Sequence, residues 1–351
     1  MKKIKIGNRR IGTGEPVFVI GEAGVNHNGR LDLALKLVDA AAGAGADAIK
    51  FQTFKAEEMV VASADMAEYQ QKNLGVKESQ LSMLRKLEFK EEHYPTVIKR
   101  CKERGITFIS TPHGGIPSID LLKKMKHPAY KIASGDLTNR PYIEHAAKTG
   151  KPILLSTGMG TMREIQDAVH WIKNSGNENI LVFHCTTNYP TPPEETNLRA
   201  MITMMKKLNV LIGYSDHTEG IQAAVMAATL GACMIEKHFT LDRSMEGPDH
   251  AASLEPSELT ELVREVKNVE RYMGLPEKKP TKSELKMRPL IRKSIVAARA
   301  IGRGEKITLD MLRFKRPATG ISPAQYRSVV GKRAGKDLPK DHLLRTTDYG
   351  A

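Results

Sequence analysis

The sequence predicts a (β/α)8 barrel, residues 1–275, followed by a linker, 276–292, and a compact module, 293–351. Two observations carry the barrel. Eight short apolar runs alternate with longer stretches of helical period, the pattern of parallel strands joined by helical crossovers. The eight units occupy roughly 275 residues, about the size of such a barrel. A third observation weakens the main rival, a doubly wound dinucleotide-binding sheet, because no GxGxxG follows the first strand.

The predicted strands are 16–23, 48–54, 107–111, 130–134, 153–157, 180–185, 210–214 and 234–240. Between them, helical periodicity is clearest over 31–44, 91–104, 162–174, 221–230 and 257–273. Residues 55–88 are too long for an ordinary loop, are polar and Met-rich, and leave the second strand on the side where barrel loops carry function. The stretch 275–289 holds three prolines among several charges and reads as a linker.

With 40% apolar and 27% charged residues in a chain of 351, the composition is that of an ordinary globular protein and excludes a mainly disordered or collagenous chain. Three scattered cysteines with no CxxC or CxxH argue against a disulfide framework or a structural zinc. The first residues, MKKIKIGNRRIGTG, lack the apolar core of a signal peptide, and no apolar run reaches about 18 residues. A cytoplasmic protein without membrane contact is expected. Of the net charge of +14, residues 276–351 carry +12, from 19 Lys/Arg against 7 Asp/Glu. A nucleic-acid-binding tail, a cap over a site for anionic substrates, and a plain solvated surface all fit that bias. Only 5% aromatic residues leave little for the stacking that single strands need, so no nucleic-acid partner is expected.

The strand C-termini form the functional face of a barrel, and here they are rich in chemistry. The first ends in Glu22 and the run Asn26-His27-Asn28; the second carries Lys50 and Gln52 on one face; the third ends in Ser110 and Thr111. The fourth contains Lys131 and ends in Ser134 and Asp136, the fifth ends in Ser156, and the sixth runs out through Thr187 and Tyr189. The seventh ends in Ser215 and His217, and the eighth carries Glu236 and His238. Lysine is almost never buried unpaired. Two lysines in apolar strands, with hydroxyls at 111, 134 and 156, point to a phosphate or carboxylate pocket. A Schiff-base lysine needs one desolvated amine of low pKa, which fits this set less well. His217 and His238 end adjacent strands and suit a borderline divalent metal such as Mn2+, Zn2+ or Fe2+. Glu22 and Asp136 are then the acid/base candidates.

These strings together resemble the sialic acid synthase family: GEAGVNHNG, KFQTF, EYQQKN, ESQLSMLRKLE, STP, KIASGD, STGM, HCTTNYPTP, GYSDHT, EKHFTLDRSMEGPDHAASLEP and KRPATGISP. The likeness covers nearly the whole chain in order. It implies that the C-terminal module is an antifreeze-like (SAF) domain and that the protein forms a domain-swapped homodimer. It implies condensation of phosphoenolpyruvate with an N-acetylated mannose-type sugar, aided by a divalent metal, Mn2+ first with Mg2+ or Co2+ as substitutes. N-acetylmannosamine, giving N-acetylneuraminate, is the leading acceptor; a diacetamido-trideoxy hexose, giving legionaminate or pseudaminate, is the alternative. By the same resemblance, Lys50, Thr111, Lys131, Ser134, Ser156, Thr187 and Ser215 hold phosphoenolpyruvate, and His217 and His238 hold the metal. Gln52, Tyr189, Asp249 and Arg316 face the sugar, Arg316 reaching it from the partner subunit, and Glu22 faces the reacting atoms. The chain departs from the family at Asp136, where Glu is usual, at Thr187, where some members place Asn, and at Pro317-Ala318-Thr319-Gly320, where the family has PGNG.

Overall fold

The structure, a computed structural model, describes residues 3–74 and 78–350. The chain divides into two compact units, Met1–Gly274 and Leu275–Ala351.

The first unit opens with a hairpin the sequence reading missed, β1 (Lys3–Ile6) antiparallel to β2 (Arg9–Gly12). The barrel strands follow: β3 (Phe18–Gly24), β4 (Ala48–Thr53), β5 (Thr107–Pro112), β6 (Tyr130–Ile132), β7 (Ile153–Ser156), β8 (Ile180–His184), β9 (Leu211–Asp216) and β10 (Met234–His238). All eight pair in parallel and in chain order among the described residues, and β10 closes the barrel on β3. The expected strands are all present, with ends shifted by a few residues. β9 runs on to Asp216, and the fourth strand stops at Ile132 because Ser134–Asp136 turns as a short 3-10 helix.

Side-chain alternation sorts each strand into an outer and an inner row. Outward residues such as Val19, Ile49, Phe51, Ile132, Leu155 and Val182 join the helices in the main core. The inward row is apolar at the bottom, where Phe18, Ile20, Ala48, Ile109, Leu154, Leu181, Phe183 and Met234 pack with Ile4, Ile6 and Ile11 of the hairpin. The hairpin therefore plugs the barrel floor. Two residues further along the same rows the side chains turn polar: Glu22, Lys50, Thr111, Ser156 and Glu236. Gly213 makes this packing possible, since a Cβ there would lie 2.8 Å from the Phe183 ring.

The crossover helices are α1 (Leu31–Gly43), α5 (Tyr94–Arg104), α6 (Gly115–Lys124), α7 (Arg140–Ala147), α8 (Met162–Asn174), α9 (Arg199–Leu208), α10 (Gln222–Thr229) and α11 (Pro256–Met273). Their ends follow local rules: a Thr161/Glu164 capping box starts α8, and Gly105 ends α5 in the left-handed region. The long segment after β4 holds three short helices, α2 (Ala56–Met59), α3 (Glu68–Leu74) and α4 (Gln80–Leu87).

In the second unit, part of the expected linker is helical. α12 (Lys282–Ile291) is started by a capping box, in which Thr281 Oγ1 accepts from Glu284 N and the Glu284 carboxylate accepts from Thr281 N. The prolines masked that signal; Pro289 sits in the last turn, where the helix stops anyway. The rest is a small β-rich unit of β11 (Ser294–Ala297), β12 (Leu312–Lys315), β13 (Arg333–Ala334) and β14 (Tyr349–Gly350) around its own core of Ile295, Ile301, Ile307, Leu312 and Leu344.

Candidate active site

The polar ends of the inward rows meet in a cavity of about 240 Å³ at the barrel mouth. At its base Lys50 is 3% exposed, with Nζ 2.8 Å from Glu22 Oε1, 3.7 Å from Glu236 Oε1 and donating to Thr111 Oγ1 at 3.0 Å. Lys131 Nζ donates to Glu236 Oε1 at 2.8 Å and lies 5.1 Å from the centre of the Phe183 ring. Ser215 Oγ donates to the same Glu236 oxygen at 3.1 Å. Two buried cations are thus balanced by two buried carboxylates. The second oxygens of Glu22 and Glu236 are buried without a hydrogen-bond partner.

Charge and burial compete at each of these groups. Burial alone would raise Glu236, but Lys131 and Lys50 outweigh it and hold that carboxyl down to about 2. At Glu22 burial wins over Lys50, and the neighbouring Glu236 adds to it, so its pKa is raised. Burial would lower Lys50, but Glu22 and Glu236 together raise it. Lys131 is lowered by burial, with repulsion from Lys50, despite Glu236. Asp249, also on the cavity wall, is pushed up to about 7 by burial and by the charge of Glu22.

Ser134, Ser156 and Thr187 line one side. Ser134 Oγ accepts from Gly158 N at 3.0 Å and lies 3.3 Å from Cys185 Sγ. Gly158 has no room for a side chain, as a Cβ would fall 2.0 Å from Thr187 Oγ1. This close approach is what brings the two hydroxyls together.

On the other side His217 and His238 face each other with ring centres 5.7 Å apart. His217 donates from Nδ1 to Thr186 O at 2.6 Å, which leaves Nε2 with its lone pair. His238 Nδ1 is buried without a partner. Burial lowers His217 to about 4 and His238 well below the usual range, so both rings are neutral near pH 7, the form that binds metals. Tyr189 packs on His217, centres 4.1 Å apart, and edge-on to His238 at 5.6 Å. No cluster of three or more His, Cys, Asp or Glu with metal-holding geometry occurs among the described residues. The two imidazoles, one with an orphaned nitrogen, fit a metal whose other positions go to water or substrate oxygens.

Of the residues singled out in the sequence, Glu22, Lys50, Gln52, Thr111, Lys131, Ser134, Ser156, Thr187, Tyr189, Ser215, His217, His238 and Asp249 all line this one cavity. Asp136 does not. Its carboxylate accepts from Asn139 Nδ2 at 3.1 Å within the turn after β6, and burial raises its pKa. Its side chain leaves the inward row because the strand has already ended. Arg316 lies just past β12 in the second unit, with its side chain exposed. Glu236 emerges as the hub of the ion pairs. Strand alternation had put it inward between Met234 and His238, yet gave no sign of its partners. His113, after β5, also lines the cavity and is lowered to about 3 by burial, aided by Lys50 and Lys131.

Known proteins resemble this chain over most of its length. The NeuB family pattern matches residues 37–278, and the SAF domain pattern matches residues 292–349. The chain is 46% identical over 330 residues to the N,N'-diacetyllegionaminic acid synthase of Campylobacter jejuni, covering 93% of this chain and 98% of that protein. It is 42% identical over 331 residues to the enzyme of the same name from Legionella pneumophila, covering 93% of each. Among solved structures, an N-acetylneuraminic acid synthetase from Leptospira borgpetersenii in complex with citrate superimposes with a TM-score of 0.73 at 35% identity, covering 81% of this chain and 94% of that one. No helix among the described residues is long and apolar enough to cross a membrane. With its closed eight-stranded barrel, its C-terminal SAF domain and full-length relatives that are sugar-acid synthases, the chain belongs to the NeuB family of enzymes.

Proposed function

We propose that the protein condenses phosphoenolpyruvate with a diacetamido-trideoxy hexose, releasing phosphate and forming an N,N'-diacetyllegionaminate-type 2-keto acid. The observation that carries the reaction class is the meeting of buried Lys50 and Lys131 with neutral His217 and His238 in one cavity. The sequence alone gave precedence to N-acetylmannosamine. The identity to two legionaminic acid synthases supports the diacetamido acceptor in its place.

An anionic substrate entering the cavity competes with Glu22 and Glu236 for the two ammonium groups. Lys50, Lys131, Thr111, Ser134, Ser156, Thr187 and Ser215 would hold its phosphate and carboxylate. A divalent metal, Mn2+ or its substitutes Mg2+ and Co2+, held by His217 and His238, supplies Lewis acidity for an aldehyde oxygen when bound. The methylene carbon of phosphoenolpyruvate forms a bond to the aldehyde carbon, and the carbonyl electron pair moves to oxygen, which takes a proton. The cationic centre left at the enol carbon gains a water oxygen, and the water's proton passes to a carboxylate. The tetrahedral adduct then breaks its C–O bond, so phosphate leaves with the bridging oxygen, takes up the proton of the new hydroxyl, and a ketone remains. Glu22 and Asp249 suit the proton steps, since both are raised and lie on the cavity. Lys50 and Lys131 would stabilise the departing phosphate.

A Schiff-base aldolase fits less well. Both lysines are ion-paired; Lys50 is raised, the opposite of an activated amine, and Lys131, though lowered by burial, is engaged by Glu236 Oε1 at 2.8 Å. Arg316 is assigned, from the family likeness, to the acceptor's acetamido group across a domain-swapped dimer. Mixing Arg316→Ala with Glu22→Ala protein should then restore part of the activity; no restoration after demonstrated subunit exchange would end that assignment.

The test of function is phosphate release from phosphoenolpyruvate with Mn2+ and three acceptors: N-acetylmannosamine, the diacetamido-trideoxy mannose and its altrose relative. Release with the second alone is expected. No release with any removes the proposal.

A further inference from the structure

The cavity has two chemically different ends. The barrel strands and the turns and loops that follow them supply its lysines, carboxylates and hydroxyls. Val25, Met59, Met83, Leu84 and Leu87 supply a second wall, which is apolar. Apart from Val25 these come from the segment that follows β4. Val25 is 4% exposed, Met83 2%, Leu84 6% and Leu87 7%, and they pack with Phe54, Ala56 and Met66 into a separate small core. The wall is therefore held in shape before any ligand arrives. Two amide side chains of the same segment interrupt it, Gln70 and Gln80; Gln70 Oε1 accepts from Ala67 N at 3.0 Å, so that its NH2 is the end left to donate.

We infer that this wall is the subsite for the far end of the acceptor sugar, and that it selects a sugar bearing a methyl and an acetamido group there over one bearing hydroxyls. The inference rests on the condensation proposed above. Phosphoenolpyruvate must take the cationic end, and the acceptor's aldehyde must meet it near the histidines. The remainder of the sugar chain then extends toward the mouth, where the β4–α5 segment lies. A diacetamido-trideoxy hexose presents a terminal methyl and the methyl of its second acetamido group at that end. N-acetylmannosamine presents a hydroxymethyl and a hydroxyl, which lose water where they meet Val25, Met59, Met83, Leu84 and Leu87. An acetamido carbonyl also matches an amide donor set among apolar side chains, which is what the Gln70 NH2 provides.

The bland alternative is that these side chains only pack the segment onto the barrel. Half-buried Met59 separates the two, because it lines the cavity but lies at the edge of that small core. The experiment measures kcat/KM for the diacetamido-trideoxy sugar and for N-acetylmannosamine in wild type, Met59→Gln, Val25→Thr and the apolar control Met59→Leu, all checked for unchanged melting. Each polar variant should lower the preference for the deoxy sugar about tenfold, as the loss of one buried apolar contact does. The KM for phosphoenolpyruvate should not move, and Met59→Leu should keep the wild-type preference. A preference within twofold of wild type in both polar variants overturns the subsite. A wild-type preference for N-acetylmannosamine overturns it too. Wild-type protein that releases no phosphate with either sugar overturns the condensation itself, and the subsite with it.

Discussion

Lys131 Nζ and Glu236 Oε1 lie 2.8 Å apart across the barrel interior, with both side chains at most 5% exposed. They come from strands 105 residues apart in sequence. Glu236 also accepts from Ser215 and faces Lys50, so one carboxylate orders both cations of the cavity.

Replacing Glu236 by Leu leaves two buried cations against one carboxylate. Loss of one partner of a buried pair costs about 3–5 kcal/mol. Urea denaturation should show a drop of that order, with Glu236→Gln intermediate because its amide oxygen still accepts. An unchanged midpoint in Glu236→Leu would mean the pair is solvated rather than buried.

Lys131→Ala should raise KM for phosphoenolpyruvate far more than KM for the sugar. A charge-assisted hydrogen bond is worth about 1.5–3 kcal/mol, which corresponds to roughly 10- to 100-fold. Equal effects on both substrates would point to a general folding defect instead.

His217→Ala and His238→Ala should each abolish Mn2+ binding measured by calorimetry on substrate-free protein, and turnover with it. Two protein ligands are too few for either to be dispensable. Wild-type affinity in either variant counts against the assigned ligands.

Stability should fall as the pH drops below neutral. His27 and His127 are buried and lowered to about 3 by burial, and His217 to about 4. An unfolded histidine titrates near 6.5. Between these values the unfolded chain binds protons that the folded chain refuses, so stability rises with pH there. The loss begins as pH falls through about 6.5 and continues to about 3, at up to about 1.4 kcal/mol per pH unit for each group. Denaturation midpoints at pH 7.5, 6 and 5 should descend in that order. A flat series would show these imidazoles are not held neutral.

The residue sequence by itself determined the barrel, its strand order and which side chains point inward. Apolar runs of strand length between helical periods admit few other folds, and a period of two fixes each row. Lys50 and Lys131 were legible for the same reason: a lysine in an apolar strand must find an anion. Their anions were not legible. Alternation says that Glu22 and Glu236 face the interior, but how far across the barrel they reach depends on closure and register, set jointly by all eight strands. Asp136 was grouped with the cavity residues because it directly follows the predicted strand 130–134, while the turn at Ser134–Asp136 ties its carboxylate to Asn139 instead. The β1–β2 hairpin is too short and too basic to announce itself. Its role appears only when Ile4, Ile6 and Ile11 meet the underside of the barrel. The apolar wall of the cavity is likewise a tertiary product, since Val25 joins Met83, Leu84 and Leu87 only when the segment after β4 folds back over the end of β3.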